Sequence, residues 1–137
     1  MADKNTSHLA GEFLVAGELS RRGYPVSITM GNAKSVDIYV ETQGGKETIA
    51  VDAKASRYNT DWPISESSVK ENLYYIFVYL RSKEGIRKNE HPEYFIICGA
   101  EITSKRMVKA WGKMQGIKYS TLNTNEYRER WDKLPPP

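Results

Sequence analysis

The sequence predicts a single α/β domain with a mixed central β-sheet of about five strands flanked by helices. Three observations predict this class: an amphipathic helical pattern opens the chain, three strand-like segments follow it, and a nearly continuous apolar run lies near the middle. With 137 residues, 39% hydrophobic and 27% charged, the chain is long enough to bury one core. We therefore expect one domain over residues 1–137, with the prolines at 135–137 as a terminal tail.

The first helix is predicted over residues 8–22, because residues 5–7 offer N-terminal caps and Gly23 offers a stop. One stripe at helical spacing contains His8, Leu9, Glu12, Val15, Ala16 and Leu19. Glu12 is its only formally charged member, and an inward carboxylate is costly unless something pairs with it. The alternatives are a stripe phased one residue away, or an Arg or Lys side chain that reaches Glu12. Glu18 lies off the stripe and is expected to be solvated.

The next predicted elements are a strand at 24–30, a loop at 31–32 and a hairpin that turns at Gly44-Gly45. Two glycines suit the favoured two-residue turn, because both central positions need positive φ. In this register the numbers of opposed residues sum to 89, so Asp37 faces Asp52. Side chains alternate between the two faces of a strand, so Lys54 shares the face of Asp52, opposite Ser35.

The two opposed carboxylates are unfavourable in a hairpin selected only for stability. Opposed Cβ atoms lie ~4.5–5.5 Å apart, and two full charges at that distance repel by roughly 3 kcal/mol at an effective dielectric of about 20. A shared proton, a bound cation or a different register would relieve the repulsion. Lys54 supplies one positive charge, and a divalent metal ion would supply more.

Further along the chain, the pattern predicts irregular structure over 56–65 and a short helical turn over 65–71. Residues 73–80 (LYYIFVYL) predict a central strand that is buried on both faces. A charged loop, a strand at 94–98 and a helix at 104–114 are expected to follow, whereas the tail from residue 119 is too mixed to assign.

Composition restricts the functional classes. The single cysteine, Cys98, lies in an apolar run and is expected to be a buried reduced thiol, so neither a disulfide framework nor a zinc-binding spacing is present. No apolar run approaches the ~20 residues of a membrane span, and the polar start does not resemble a secretory signal. We therefore expect a cytoplasmic protein without membrane association.

Charge is unevenly distributed, at −2 over residues 1–80 and +5 over residues 81–137. A basic second half suits a protein that approaches phosphates, although a solvated surface is the simpler interpretation. Within this half, four basic side chains are predicted to form one edge of a helix. The default interpretation is that this edge faces solvent, and the alternative is that it contacts phosphates. Its members are Lys105, Arg106, Lys109 and Lys113.

The helix, the hairpin and their charges together resemble the PD-(D/E)XK nuclease superfamily. The matching stretches are GEFLVAGELSRRGYPV, SVDIYV and IAVDAKAS, and they are similar to small restriction endonucleases and archaeal Holliday-junction resolvases. The motifs cover residues 8–56, and residues 57–100 match only by the order of elements. Two positions depart from the pattern: Val36 replaces the usual proline, and Asp52 stands where Glu is commoner.

The resemblance implies a restriction-endonuclease-like core with αβββαβ order and an endonuclease that acts on DNA. It also implies that Asp37, Asp52 and Glu12 hold Mg²⁺ (or Mn²⁺), while Lys54 assists the attacking water. Hard oxygen ligands suit Mg²⁺. A Holliday-junction resolvase and a simple endonuclease both remain open. So does a non-catalytic nucleic-acid-binding or interaction module, because a fold does not fix an activity.

Three candidates for nucleic-acid contact follow the hairpin: Arg57, Tyr58 and Trp62. They could bind phosphates or stack on bases. The alternative is that they simply pack within the loop. His8 and His91 lack partner ligands in the sequence, so surface or loop positions are expected for both. A homodimer is expected, because cleavage of both strands of a duplex needs two sites.

Overall fold

The computed structural model describes the backbone of residues 2–29 and 36–137. The predicted loop at 31–32 and Ser35 lie outside the described residues. The helices are α1 (Ala2–Arg21), α2 (Lys83–Arg87), α3 (Gly99–Ser104) and α4 (Tyr119–Leu122). The strands are β1 (Val26–Ile28), β2 (Ile38–Thr42), β3 (Glu47–Ser56), β4 (Asp61–Pro63), β5 (Tyr74–Tyr79), β6 (Glu93–Cys98), β7 (Lys109–Trp111) and β8 (Met114–Lys118). Single 3₁₀ turns lie at Gln43–Gly45, Glu66–Ser68 and Trp131–Lys133.

The predicted coarse class is confirmed: the chain is α/β with a mixed five-stranded sheet flanked by helices. The strand order is β1-β2-β3-β5-β6, and only the β3–β5 pair is parallel. Helix α1 packs on one face of this sheet. The opposite face packs against α3 and a smaller sheet of order β4-β8-β7.

The predicted hairpin register is confirmed. Ile38 pairs with Val51 and Tyr39 with Ala50, so the numbers of opposed residues sum to 89. The turn has φ of 66° at Gly44 and 87° at Gly45, as a type I′ turn requires. The glycines therefore set the register that brings the two aspartates opposite each other.

Strand β5 is the predicted central strand, and it is buried on both faces. Ile76 and Val78 pack into the core under α1, whereas Tyr75 and Phe77 pack into the second core, under the smaller sheet. Strand β6, at Glu93–Cys98, confirms the strand predicted at 94–98. Its last residue, Cys98, is half-buried rather than buried, because it lies where the strand leaves the core.

Helix α1 begins six residues before the predicted start and ends one residue before the predicted end. The predicted apolar stripe is correct at Val15, Ala16 and Leu19, which are buried, but wrong at Leu9, which is 46% exposed. Leu9 lies at the margin of the stripe, N-terminal to Gly11, where the helix comes into close contact with Ala55 of β3.

Replacing Gly11 by Ala tests this close approach. The added Cβ would lie 2.6 Å from the Cβ of Ala55, so we expect a loss of about 1–3 kcal/mol of stability from overpacking. Gly17→Ala is the matched control, because a Cβ there meets nothing within 4 Å and should stabilise the helix by up to about 1 kcal/mol. Urea unfolding measures both. Equal shifts of the same sign would contradict the packing of α1 on β3.

The predicted helix at 104–114 is wrong. Helix α3 ends at Ser104, and the β7–β8 hairpin follows it. Arg106 has a φ of 50°, which is incompatible with a continuing helix, and Gly112 has a φ of 61° in the hairpin turn. Lys105, Arg106, Lys109 and Lys113 therefore do not form one helical edge.

Two smaller predictions also change. The helical turn expected over 65–71 is only the 3₁₀ turn at Glu66–Ser68, and the charged loop after β5 contains α2. Within the described ranges, no helix combines the length and apolar character that a membrane crossing requires.

Candidate metal and catalytic site

The four predicted site residues come from three elements that meet beside β3. Asp37 directly precedes β2, Asp52 and Lys54 lie in β3, and Glu12 lies in α1. Glu12 and Asp37 are only 1% and 5% exposed. Ligand atoms of Glu12 and Asp37 lie within 4.8 Å of each other, so the prediction that Glu12 points from the first helix towards the hairpin is confirmed.

Asp37 is held across the hairpin by the backbone of β3. Its Oδ2 accepts a hydrogen bond from the Ala53 N–H at 2.9 Å. Its carboxyl group also hydrogen-bonds to the carboxyl group of Asp52. A hydrogen bond between two carboxyl groups requires a shared proton, which is one of the three ways of relieving their repulsion.

Asp52 lies between the carboxyl group of Asp37 and the ammonium group of Lys54. Burial and then the hydrogen bond to Asp37 raise the pKa of Asp52 to about 7. Lys54 opposes this rise, because its Nζ lies 3.1 Å from Oδ2 of Asp52. Near neutral pH the pair therefore changes protonation easily, and a bound cation would favour the ionised form.

Without metal, this raised pKa predicts a pH-dependent stability. From about pH 4 to pH 7 the folded chain keeps a proton on Asp52 that the unfolded chain has released, so the free energy of unfolding falls as pH rises. In urea titrations with EDTA, Asp52→Asn should lose this component and be more stable than wild type above pH 7. Parallel wild-type and variant profiles would contradict the assignment.

His8 is exposed, as predicted, but it also lies beside the site. Its Nε2 lies 2.5 Å from Oε2 of Glu12. One ligand atom each from His8, Glu12 and Asp37 lie within 4.8 Å of one another. The prediction that His8 lacks partner ligands is therefore wrong, and the i,i+4 spacing of His8 and Glu12 was the available signal. His91, in contrast, lies in an exposed segment as expected.

Asp37 lies between the other members of the predicted metal set, Glu12 and Asp52. Val51 and Ala53 face α1, so alternation directs Asp52 and Lys54 to the opposite face of β3. Among the described residues, the compact three-member group contains His8 in place of Asp52. Asp37 contacts Asp52 on one side and lies close to His8 and Glu12 on the other. The site therefore extends from His8 through Asp37 to Lys54.

The donor set fits a divalent cation. Ligands of one first-row metal ion or Mg²⁺ lie about 2.0–2.2 Å from it, so two of them are at most about 4.4 Å apart. The candidate ligand atoms of His8, Glu12 and Asp37 lie within 4.8 Å of one another, which is close to this value. Small side-chain rotations would allow all three to reach one ion.

A groove of about 390 Å³ adjoins the site and is lined in part by His8, Lys54, Arg57 and Tyr58. The Nε of Arg57 is buried and has no hydrogen-bond partner among the described residues. Tyr58 is 68% exposed. Both residues line the groove, and their contact with nucleic acid stays a prediction.

Trp62 does not fit the stacking role predicted for it. Its side chain is 1% exposed, and its indole N–H donates to the carbonyl of Val78 at 3.0 Å. The ring packs against Phe77 and Phe95 in the core. Trp62 thus supports the floor of the groove and offers no open face to a base.

The arrangement brings three carboxylates, an imidazole and an amine together, and the imidazole of His8 and the amine of Lys54 also line the groove. Such a set can bind a divalent cation and place a positive charge beside it. Comparison of the chain with protein-family models, with curated proteins and with solved structures finds no match.

Proposed function

We propose that the chain is a divalent-metal-dependent endonuclease that hydrolyses phosphodiester bonds in DNA, built on a restriction-endonuclease-like fold. The observation that supports this most is the position of Asp37. It contacts Asp52 across the hairpin and shares a compact ligand group with Glu12. Lys54 lies beside the same carboxylates.

The order of elements supports the fold assignment. Helix α1 is followed by three antiparallel strands, and β5 then runs parallel to β3. This agrees with the first four elements of the αβββαβ order that the PD-(D/E)XK resemblance implies. One departure is the connection from β3 to β5, which contains β4 and a 3₁₀ turn instead of a helix.

The carboxylates supply the metal ligands in this proposal. Glu12 and Asp37 would bind Mg²⁺ or Mn²⁺, and Asp52 would complete the site through its contact with Asp37. When bound, the ion would lower the pKa of a water molecule and neutralise charge on the phosphoryl oxygens. Burial of Glu12 and Asp37 keeps both carboxylates fixed and shields them from bulk solvent.

Lys54 and the groove supply the remaining functions. The ammonium group of Lys54, half-exposed beside Asp52, can orient the attacking water or stabilise the charge that develops on the phosphate. Arg57 offers a guanidinium to the backbone phosphates, and the exposed ring of Tyr58 offers a face to a base.

A panel of DNA substrates tests the proposal. Supercoiled, linear and four-way branched DNA are incubated with the protein in Mg²⁺, Mn²⁺ or EDTA. We expect cleavage with metal and none with EDTA, and a preference for branched DNA would identify a junction resolvase. A non-catalytic module would bind these DNAs without cleaving any of them.

A homodimer is expected to be the active form. A chain of 137 residues offers little surface to grip a duplex, and two-fold symmetry is the simplest way to place one site on each strand. Light scattering at micromolar concentration, with and without DNA, measures the mass. A monomer under both conditions would contradict this expectation.

A further inference from the structure

We propose that His8 is a metal ligand, and that it makes this site select a transition-metal ion of the Mn²⁺, Co²⁺ or Zn²⁺ class over Mg²⁺. The inference builds on the metal site of the proposed function. It concerns which ion the site prefers, so it can be tested without measuring cleavage.

The imidazole of His8 lies next to the carboxylate of Glu12. Nε2 of His8 lies 2.5 Å from Oε2 of Glu12, and one ring nitrogen of His8, one carboxylate oxygen of Glu12 and one of Asp37 lie within 4.8 Å of one another. His8 and Glu12 are one helical turn apart on α1, so the helix itself fixes their spacing. The ring nitrogen is therefore on the same side of the site as the two buried carboxylates.

His8 is also accessible to solvent. Its side chain is 50% exposed, whereas that of Glu12 is 2% exposed. His8 also lines the groove that adjoins the site. The imidazole thus lies between solvent and the buried carboxylates, where an entering ion would meet it first and remain in contact with all three ligands.

The chemistry of the donors bears on the choice of ion. Mg²⁺ prefers oxygen ligands and keeps several of its waters. Imidazole nitrogen suits Zn²⁺ and the later first-row metals best, and Mn²⁺, which also accepts oxygen ligands, has the lowest affinity of that series. A site with one imidazole and two carboxylates therefore gains more from Mn²⁺, Co²⁺ or Zn²⁺ than from Mg²⁺. Without His8, the remaining ligands are carboxylate oxygens, and this preference should shrink.

The competing interpretation is an ion pair. A protonated His8 would neutralise Glu12 without any metal, and the same short contact would result. The two interpretations differ in one observable, because only a ligand brings the imidazole nitrogen into direct contact with the ion.

The test uses Mn²⁺ as the probe and the full chain as the protein. Electron spin-echo envelope modulation of bound Mn²⁺ detects coupling to a coordinated imidazole nitrogen, and calorimetry measures the Kd of Mn²⁺ and Mg²⁺. The variants are His8→Gln and, as the matched control, the exposed His91→Gln. We expect nitrogen coupling in wild type and His91→Gln but not in His8→Gln. We also expect the Kd of Mn²⁺ to rise about tenfold or more in His8→Gln, with a much smaller change for Mg²⁺.

The outcomes separate this inference from the proposed function. Mn²⁺ binding without nitrogen coupling, or equal losses of Mn²⁺ and Mg²⁺ affinity in His8→Gln, would overturn the role of His8 even if wild type cleaves DNA. Nitrogen coupling that depends on His8 would support the inference even if no DNA is cleaved. Absence of any Mn²⁺ binding would overturn the inference and the proposed metal site together.

Discussion

Replacing Asp37 by Asn is expected to abolish DNA cleavage and most of the stabilisation by divalent metal. Asp37 contacts Asp52 and lies in the same group of candidate ligands as His8 and Glu12. Loss of its charge should therefore affect every proposed ligand. For wild type, Mn²⁺ at a hundred times its Kd should stabilise the fold by about 2.7 kcal/mol, seen as a rise of several degrees in Tm. Asp37→Asn should show little of this rise, and its cleavage rate should fall at least a hundredfold.

The substitution is conservative for the fold. An Asn side-chain oxygen can still accept the hydrogen bond from the Ala53 N–H, and without metal the variant should be as stable as wild type or more so, because one of two opposed carboxylates is gone. Asp132→Asn is the matched control, since Asp132 is exposed and pairs only with Arg130 among its described contacts. Equal metal-induced Tm shifts in wild type and Asp37→Asn would remove Asp37 from the metal site.

Replacing Lys54 by Met is expected to separate catalysis from metal binding. The carboxylates remain, so Mn²⁺ should still raise the Tm. The rise should be larger than in wild type, because the ammonium 3.1 Å from Asp52 no longer competes with the ion. Cleavage should nevertheless fall by about 10²–10³-fold, as when a single group that stabilises transition-state charge is removed.

Single-turnover cleavage and thermal melting on the same preparation measure both effects. Lys88→Met serves as the control, because Lys88 is an exposed lysine of similar size far along the chain, after α2. A Lys54→Met protein that cleaves DNA at the wild-type rate would show that the lysine is structural. A protein that loses the metal shift as well would show that Lys54 maintains the site rather than acting in it.

The part of the fold that holds the site could be predicted from local pattern. Gly44 and Gly45 favour one turn type, and period-two alternation then fixes which residues are opposed, so the contact of Asp37 with Asp52 follows from a short segment. Glu12 could be predicted to face inward because the helix around it is apolar, which leaves the carboxylate on the buried stripe.

The second sheet could not be predicted in this way. Its strands are short, and Trp62 pairs with Ile117, a partner more than fifty positions away. Residues 105–113 carry basic side chains at spacings that also suit a helix, and nothing local indicates that β4 will pair with β8. The burial of Trp62, and hence its loss as a stacking candidate, follows from that distant pairing.

His8 was missed for a different reason. One neighbour, Glu12, lies one helical turn away in α1, whereas the other, Asp37, directly precedes β2. Only the spacing between His8 and Glu12 was therefore visible in the sequence. Assigning a ligand set needs the register of the sheet and the phase of the helix at the same time. The structure supplies both, and it adds His8 to the candidate ligands beside Glu12 and Asp37.

The most direct measurement of the central claim is nicking of one supercoiled plasmid by wild type, Asp37→Asn and Lys54→Met, each in Mn²⁺, Mg²⁺ and EDTA. The site geometry predicts nicking by wild type with either metal, none with EDTA, and loss of activity in both variants. Metal-independent nicking, or nicking that is equal in all three proteins, would reveal a contaminating nuclease or a different active site. No nicking of any DNA by wild type, together with no metal-induced rise in Tm, would contradict the proposed function outright.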